Sequence, residues 1–156
     1  MTEKYIESLE TAQKALQTAD HMTYITFPLV KEKRLMLKIL SELNLAILGT
    51  INAILQYEYY YKRIQIYNDS RENFNTFRKI AERYEITPEQ LKKIIEIISL
   101  AEKHKRSPFE FVKNDKIVIL SDRMQTDTVS IDKIKSFLIE VKDILKKANL
   151  RIKFQE

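Results

Sequence analysis

The chain has 156 residues and a formal net charge of +5, and it contains no cysteine, one glycine and three prolines. This length is typical of one domain with its own hydrophobic core. The lack of cysteine excludes disulfides, thiolate zinc sites and thiol nucleophiles, and it fits the cytoplasm, where we expect the protein to reside. The single glycine argues against glycine-rich phosphate loops and favours helices.

The first predicted element is an amphipathic helix from Thr2 to Thr26, with apolar residues at helical spacing. Pro28 disfavours the helical conformation at Phe27, so we expect the helix to end there. The connection to the next helix is short, which predicts that the two helices pack antiparallel.

The second helix, from about Glu32 to Ile64, is apolar on nearly every side. A helix with this pattern lies inside a core or crosses a membrane. Its most apolar window, Leu35 to Leu55, contains the charged residues Lys38 and Glu42. Each central charge costs about 2.5–3.5 kcal/mol on membrane insertion. We therefore predict a buried bundle helix and no membrane partner.

Two further helices follow the central one. The third begins near Asp69-Ser70, where either side chain can cap it. The fourth has the strongest start signal in the chain, because a capping residue, a first-turn proline and a capping box coincide at Thr87, Pro88 and Gln90.

The sequence pattern changes after the fourth helix. Ser107-Pro108-Phe109-Glu110 has the composition of a helix start and predicts one short helical turn. Lys116–Leu120 is apolar and β-branched, and Thr126–Val129 can return beside it after a turn at Asp122–Gln125, which predicts a hairpin. The last helix is expected from Ser130 to about Asn149.

Together these elements predict a mainly α fold that forms one domain over residues 1–156. The expected architecture is a helical bundle of four or five helices around the long buried central helix, with a small β-hairpin before the C-terminal helix. A two-stranded hairpin is marginally stable alone, so we expect it to pack on the helices.

The most chemically suggestive stretch is the tyrosine run Tyr57–Tyr61, with its cations Lys62 and Arg63. Rings beside cations bind single-stranded nucleic acid, because bases stack on rings and phosphates contact cations. Helical spacing also allows a structural interpretation, in which residues 57, 60, 61 and 64 form the edge of the core. Only Tyr59 and the Lys62-Arg63 pair then point elsewhere.

The positive charge lies in the second half of the chain, and a basic surface there would suit RNA. Cations at the end of the fourth helix also complement the helix dipole, so a purely structural interpretation stays open. The candidate RNA or phosphate contacts are Tyr59, Lys62, Arg63, Arg78, Lys92, Lys93, Lys103, Lys105 and Arg106. The sequence does not show whether they share one surface.

No motif of known catalytic chemistry is present in the sequence. It has no glycine-rich phosphate loop, no His-Glu-x-x-His zinc motif and no Gly-x-Ser-x-Gly nucleophile. Two histidines, His21 and His104, without any cysteine disfavour a transition-metal site. We therefore expect no catalytic residues, no bound metal and no cofactor.

Three segments resemble an uncharacterised family of small archaeal helical proteins: ADHMTYITFPLVKEKRLMLKIL, INAILQYEYYYKRI and KHKRSPFEFVKNDKIVILSD. The resemblance covers most of the chain and implies no activity. The long helical hairpin with further helices is also similar in outline to HEPN bundles, which associate with nucleotides and RNA. HEPN nucleases carry an arginine about four to six residues before a histidine. No arginine stands at that distance before His21 or His104.

These observations lead to ranked functional expectations. The first is a non-enzymatic interaction module that binds a protein partner, or a second copy of itself, through apolar helical surface. The alternative is an RNA-binding module that uses a basic patch in the second half. A third alternative is a catalytically inactive HEPN-like toxin or antitoxin component.

Overall fold

A computed structural model describes residues 3–154. Thr2, the predicted start of the first helix, lies outside the described residues. The mainly helical fold with strands before the C-terminal helix is confirmed. In chain order the elements are α1 (Lys4–His21), the single turn α2 (Phe27–Val30), α3 (Leu35–Tyr60), α4 (Ser70–Ile80), α5 (Pro88–Arg106), β1 (Phe109–Lys113), β2 (Lys116–Leu120), β3 (Thr126–Val129) and α6 (Ile131–Phe154).

The chain stays helical through Pro28, so the predicted helix end at Phe27 is wrong. Met22–Thr26 form a π-helical turn, in which the Phe27 N–H donates to the Met22 carbonyl. A proline ring would press on the carbonyl four residues before it in a regular α-helix, and the wider turn relieves that contact. The helical segment ends instead at Lys31, which adopts a left-handed conformation with φ 56°.

The buried central helix is α3, and it packs against α1, α4, α5 and α6. Among the described residues α3 is also the one helix long and apolar enough to cross a membrane, but 61% of its most apolar window is buried inside the bundle. One stripe of α3 remains at the surface, contrary to its all-round apolar pattern. The exposed positions include Lys38, Leu45, Leu48, Asn52 and Tyr59.

The chain's only glycine lies where α1 and α3 pack closely. A Cβ atom at Gly49 would lie 3.1 Å from the Ala12 Cβ atom and 3.3 Å from the Ala12 backbone. Asn52 donates a hydrogen bond to Ser8 Oγ at 2.8 Å on the same pair of helices. The small contact and the directional bond together fix the register of the two helices.

The helices α4 and α5 begin at the residues that the sequence predicts. The Asp69 carboxylate accepts a hydrogen bond from the first turn of α4, and Thr87 and Gln90 form a reciprocal capping box at α5. Between them a 3-10 turn, Ala81–Tyr84, ends at the left-handed residue Glu85. This turn contacts α6, so it joins the end of α4 to the C-terminal helix.

The strands form a three-stranded antiparallel sheet in the order β1-β2-β3, whereas the sequence predicts two strands. The predicted helical turn at Ser107–Glu110 is wrong, because this segment leads into β1. Ser107 Oγ donates to the Leu120 carbonyl at 2.6 Å, so it ties β1 to the end of β2 instead of capping a helix. Asn114 and Asp115 both have positive φ and form the two-residue turn, a signal that the sequence interpretation overlooked.

The sheet packs through its central strand. In β2 the residues Ile117–Ile119 are buried, and Ile117 lies opposite Val129 of β3. The chain then enters α6 at Ile131, and this helix extends beyond the predicted end at Asn149. Its length allows α6 to contact both α1 and the 3-10 turn.

Candidate nucleic-acid interface

The end of α3 turns sharply at Lys62, which adopts the left-handed conformation with φ 60°. The Arg63 N–H donates to the Glu58 carbonyl, and the Lys62 N–H to the Tyr59 carbonyl, both at 2.9 Å. These two bonds form a Schellman motif, in which glycine usually occupies the left-handed position. The helix therefore ends before the predicted residue Ile64, and the turn brings Arg63 back to Glu58.

Glu58 is fully buried at this end of α3, and two arginines neutralise it. Its Oε2 atom accepts hydrogen bonds from Arg63 Nε at 2.6 Å and from Arg63 Nη2, and its Oε1 atom accepts one from Arg83 Nη1 at 3.3 Å. A buried carboxylate without such partners would be very costly. The hydrogen bond to Glu58 raises the pKa of Arg63, so the guanidinium stays charged.

Tyrosine rings surround this ion pair. The Tyr5 ring packs edge-on against Tyr57 and Tyr60, with centroids 5.2 Å and 5.7 Å apart. Tyr61 packs against Tyr57 at 5.0 Å, and the Arg63 guanidinium lies 5.1 Å from the Tyr61 centroid. The tyrosines and the arginine therefore form one packed unit, which we call the tyrosine cluster (Tyr5, Tyr57, Tyr60, Tyr61 and Arg63).

The rings of Tyr60 and Tyr61 are more exposed than the core-edge interpretation predicts. Tyr57 is buried in the core, as that interpretation predicts, but Tyr60 and Tyr61 are 56% and 42% exposed. Tyr59 is 53% exposed, as predicted. Tyr59, Tyr60 and Lys62 line an open cleft of about 820 Å³ between the start of α1 and the end of α3. We call it the tyrosine cleft, and its volume lies in the range of ligand sites.

A smaller cavity of about 170 Å³ lies between the 3-10 turn and α6. We call it the arginine pocket, and its lining residues are Arg83, Tyr84, Glu85, Lys147, Leu150 and Arg151. The Arg151 guanidinium lies over the Tyr84 ring, with its Cζ atom 5.3 Å from the centroid. Because Arg83 also bonds Glu58, one arginine connects this pocket to the tyrosine cluster.

Tyr84 is an unusual buried residue beside this pocket. Its hydroxyl is buried and has no hydrogen-bond partner among residues 3–154. Burial, together with the charge of Glu58, raises the pKa of Tyr84 well above its usual value, so the phenol stays protonated. A buried hydroxyl without a partner costs free energy, and the Asn44 Oδ1 atom in the body of α3 is a second such atom within residues 3–154.

The predicted contact residues fall into separate groups. Tyr59 and Lys62 line the tyrosine cleft, and Arg63 belongs to the adjoining cluster. Lys103 and Arg106 instead line a cavity of about 540 Å³ between α4, α5 and the β2–β3 turn. The two cavities share no lining residue, so the structure does not gather the nine candidates into one site.

The remaining candidates have diverse surroundings. Lys103 pairs with Asp127 at 3.0 Å, and Arg106 pairs with Glu102 at 2.9 Å on its own helix. The Lys93 ammonium lies 5.7 Å from the Phe137 ring centroid. Three further candidates are exposed on α4 and α5: Arg78, Lys92 and Lys105.

The sequence interpretation missed the roles of Glu58 and Arg151. A single carboxylate inside the tyrosine run, five residues before an arginine, was the available signal for the first. Nothing local marks Arg151, because its neighbour Tyr84 comes from a distant part of the chain. The second histidine, His104, bonds Glu110 at 2.6 Å and links α5 to β1. No group of three metal-binding side chains occurs within residues 3–154.

No protein-family model, curated protein or solved structure matches this chain. The resemblance to small archaeal helical proteins and to HEPN bundles therefore stays a prediction.

Proposed function

We propose that the protein is a cytoplasmic, non-enzymatic module that binds single-stranded RNA at the tyrosine cleft. One observation carries the proposal: Tyr59 and Tyr60 are about half exposed and line a single cleft with Lys62. Exposed rings next to cations are the usual platform for unpaired bases, since every base has a face that can stack.

The tyrosine cluster supports this proposal by its rigidity. The Tyr60 ring packs against the buried Tyr5 ring, and Glu58 holds the Arg63 guanidinium by hydrogen bonds. A platform that is already ordered loses little conformational entropy when a base stacks on it. Tyr60 therefore offers contact area at a low entropic cost.

Positive charge next to the platform supports the same proposal. Lys62 lies at the rim of the cleft, and the side chains of Arg63 and Arg83 are 40% and 50% exposed although both bond Glu58. Two arginines against one carboxylate leave an excess positive charge at the surface. Phosphates of a strand that crosses the cleft would contact this charge.

Fluorescence anisotropy with a labelled oligouridylate of about 12 nucleotides tests the proposal, because this length covers typical single-strand site sizes. We expect binding at about 50 mM salt and a steep loss of affinity as salt increases. Tyr59→Ala should weaken binding by about fivefold or more, because a base–ring stack contributes about 1–3 kcal/mol. Lys62→Gln should reduce the salt dependence by about 0.7 counterions, as expected for one phosphate contact.

The matched controls are Tyr59→Phe and Tyr24→Ala. Tyr59→Phe keeps the ring and should bind like the wild type. Tyr24 is an exposed tyrosine near the opposite end of α1, so its removal should leave binding unchanged. Absence of binding at low salt, or equal losses in Tyr59→Ala and Tyr24→Ala, would refute RNA binding at the cleft.

A second candidate function is self-association through the exposed stripe of α3. Leu45 and Leu48 are 50% and 43% exposed, and they border a shallow groove of about 460 Å³ with Gly49 and Asn52. Two copies of the same stripe can pack about a two-fold axis, because such an interface repeats one surface. Sedimentation equilibrium tests this: Leu48→Glu should turn a dimer into a monomer, and a wild-type monomer at high concentration would exclude it.

A further inference from the structure

We propose that the arginine pocket binds one phosphate group, either free phosphate or the terminal phosphate of an RNA strand. Three cationic side chains from two separate parts of the chain line this cavity: Arg83 from the 3-10 turn, and Lys147 and Arg151 from α6. Arg83 pairs with Glu58 and Lys147 pairs with Asp143, so among residues 3–154 the charge of Arg151 is the one in this group without a carboxylate partner. An anion in the pocket would compensate for that charge.

Arg151 is the main donor in this proposal. It has no carboxylate partner among residues 3–154, and its guanidinium lies over the Tyr84 ring, with Cζ 5.3 Å from the centroid. It forms no hydrogen bond within these residues, so its fork of N–H donors is available to two phosphate oxygens. The residue is therefore positioned and has unused donors.

Arg83 and Lys147 have different roles in the pocket. Arg83 uses Nη1 for Glu58, and its remaining donors lie on a half-exposed side chain. Lys147 donates to the Glu85 carbonyl at 2.7 Å and to Gln90 at 2.9 Å, and it pairs with Asp143 at 3.1 Å. Its donors are used, so Lys147 contributes positive potential rather than a direct hydrogen bond.

The size of the pocket selects the ligand class. A volume of about 170 Å³ suits a single phosphate, whereas the tyrosine cleft of about 820 Å³ has room for bases. Glu85 is the one acidic residue among those that line the pocket, and it opposes anion binding. Neutralising that carboxylate should therefore strengthen phosphate binding.

NMR titration with inorganic phosphate, at constant ionic strength set with chloride, tests the pocket directly. We expect saturable shifts of the amides in Ala81–Glu85 and in the last turns of α6. Arg151→Gln should weaken binding about tenfold, since a hydrogen bond between charged groups is lost. Glu85→Gln should strengthen it about threefold, the effect of one removed exposed charge.

Lys153→Gln is the matched control, because it removes the same charge from an exposed position on the same helix. It should bind phosphate like the wild type. Shifts that do not saturate, or equal losses in Arg151→Gln and Lys153→Gln, would overturn the proposal. Glu85→Gln should increase phosphate affinity, and a misfolded protein would not show such an increase. A folding defect in Arg151→Gln therefore cannot by itself decide the result.

A second arm compares RNA with a 5′-phosphate and RNA with a 5′-hydroxyl, and this arm rests on the proposed function. We expect the phosphorylated strand to bind more tightly in the wild type and equally in Arg151→Gln. Phosphate binding without any RNA binding would refute the RNA function and retain the pocket for free phosphate. RNA binding with no response to inorganic phosphate would retain the function and refute the pocket.

Discussion

The body of α3 and its C-terminal end bury different kinds of side chain. In its body, apolar side chains such as Leu43 and Ile47 are fully buried, and Gly49 packs directly on Ala12. At its end the same helix buries the charge of Glu58, next to a tyrosine hydroxyl that lacks a partner within residues 3–154. The body is mainly apolar, although the Asn44 Oδ1 atom is buried there without a partner within residues 3–154. The end differs because it buries a charged group.

Buried polar groups are retained where they position other groups, and Glu58 positions both Arg63 and Arg83. A purely structural helix end would satisfy the same space with leucine. We therefore expect substitutions in the body to change stability, and substitutions at the end to change binding more than stability.

The largest expected effect is in the body. Leu43→Ala removes a fully buried side chain and leaves a cavity, so it should reduce the free energy of unfolding by about 2–5 kcal/mol. Urea denaturation followed by circular dichroism measures this change. Leu45→Ala is the control on the same helix, because Leu45 is half exposed, and its loss should stay below about 1 kcal/mol. Equal losses in both variants would contradict the assigned core.

The next effect tests the close contact of α1 with α3. Gly49→Leu should destabilise by about 1–3 kcal/mol, because its side chain would meet the Ala12 backbone and push the helices apart. Gly49→Ala should be nearly neutral, since the gain of about 1 kcal/mol in helix propensity offsets the crowding at 3.1 Å. Thermal unfolding of both variants measures the difference. A Leu variant as stable as wild type would show that the helices are not in close contact.

At the other end, Glu58 provides the contrast. Glu58→Gln should cost about 1–3 kcal/mol, because its amide N–H group would face guanidinium donors and lack a partner. Glu58→Leu should remain within about 1 kcal/mol of wild type, since leucine leaves no unpaired amide and both arginine side chains, 40% and 50% exposed, can turn to water. Both variants should lose RNA affinity, because Arg63 is no longer held.

Chemical denaturation together with anisotropy separates the two effects at Glu58. The control is Glu102→Gln, which removes an exposed pair with Arg106 and should change stability by less than about 0.5 kcal/mol. If Glu58→Leu loses more stability than Glu58→Gln, the ion pair is a net stabilising interaction and the contrast with the body fails.

Much of the helical fold can be predicted from local signals. The caps at Asp69 and Thr87, and the apolar pattern of the central helix, depend only on nearby residues. The wrong predictions concern residue types that occur in two kinds of local structure. Pro28 fits a helix once a π turn precedes it, and Ser107 tethers two strands although its neighbours match a helix start.

The candidate site is less predictable, for a different physical reason. The tyrosine run is local, so its importance is visible in the sequence, but the exposure of each ring depends on how α1 packs beside it. Arg63 meets Glu58 only because the Schellman turn reverses the chain at a lysine, where glycine is usual. Arg151 reaches Tyr84 through the packing of α6, which no local pattern encodes.

The smallest effect concerns the hydroxyl of Tyr84. Tyr84→Phe should leave stability within about 1 kcal/mol of wild type at neutral pH, because it removes a buried hydroxyl without losing a hydrogen bond to residues 3–154. At alkaline pH the variant should differ. The pKa of Tyr84 is raised in the folded protein, so above pH ~10 the unfolded chain releases a proton that the folded protein retains.

This linkage fixes the sign of the pH dependence. Wild-type stability should fall above pH ~10, with up to about 1.4 kcal/mol per pH unit from this residue, and Tyr84→Phe should remove that contribution. Urea midpoints between pH ~9 and ~11 measure the slope, with the exposed residue Tyr67 changed to Phe as the control. An unchanged slope in Tyr84→Phe would mean that the phenol reaches water in the folded protein, and the contrast between the end of α3 and its body would then rest on Glu58 alone.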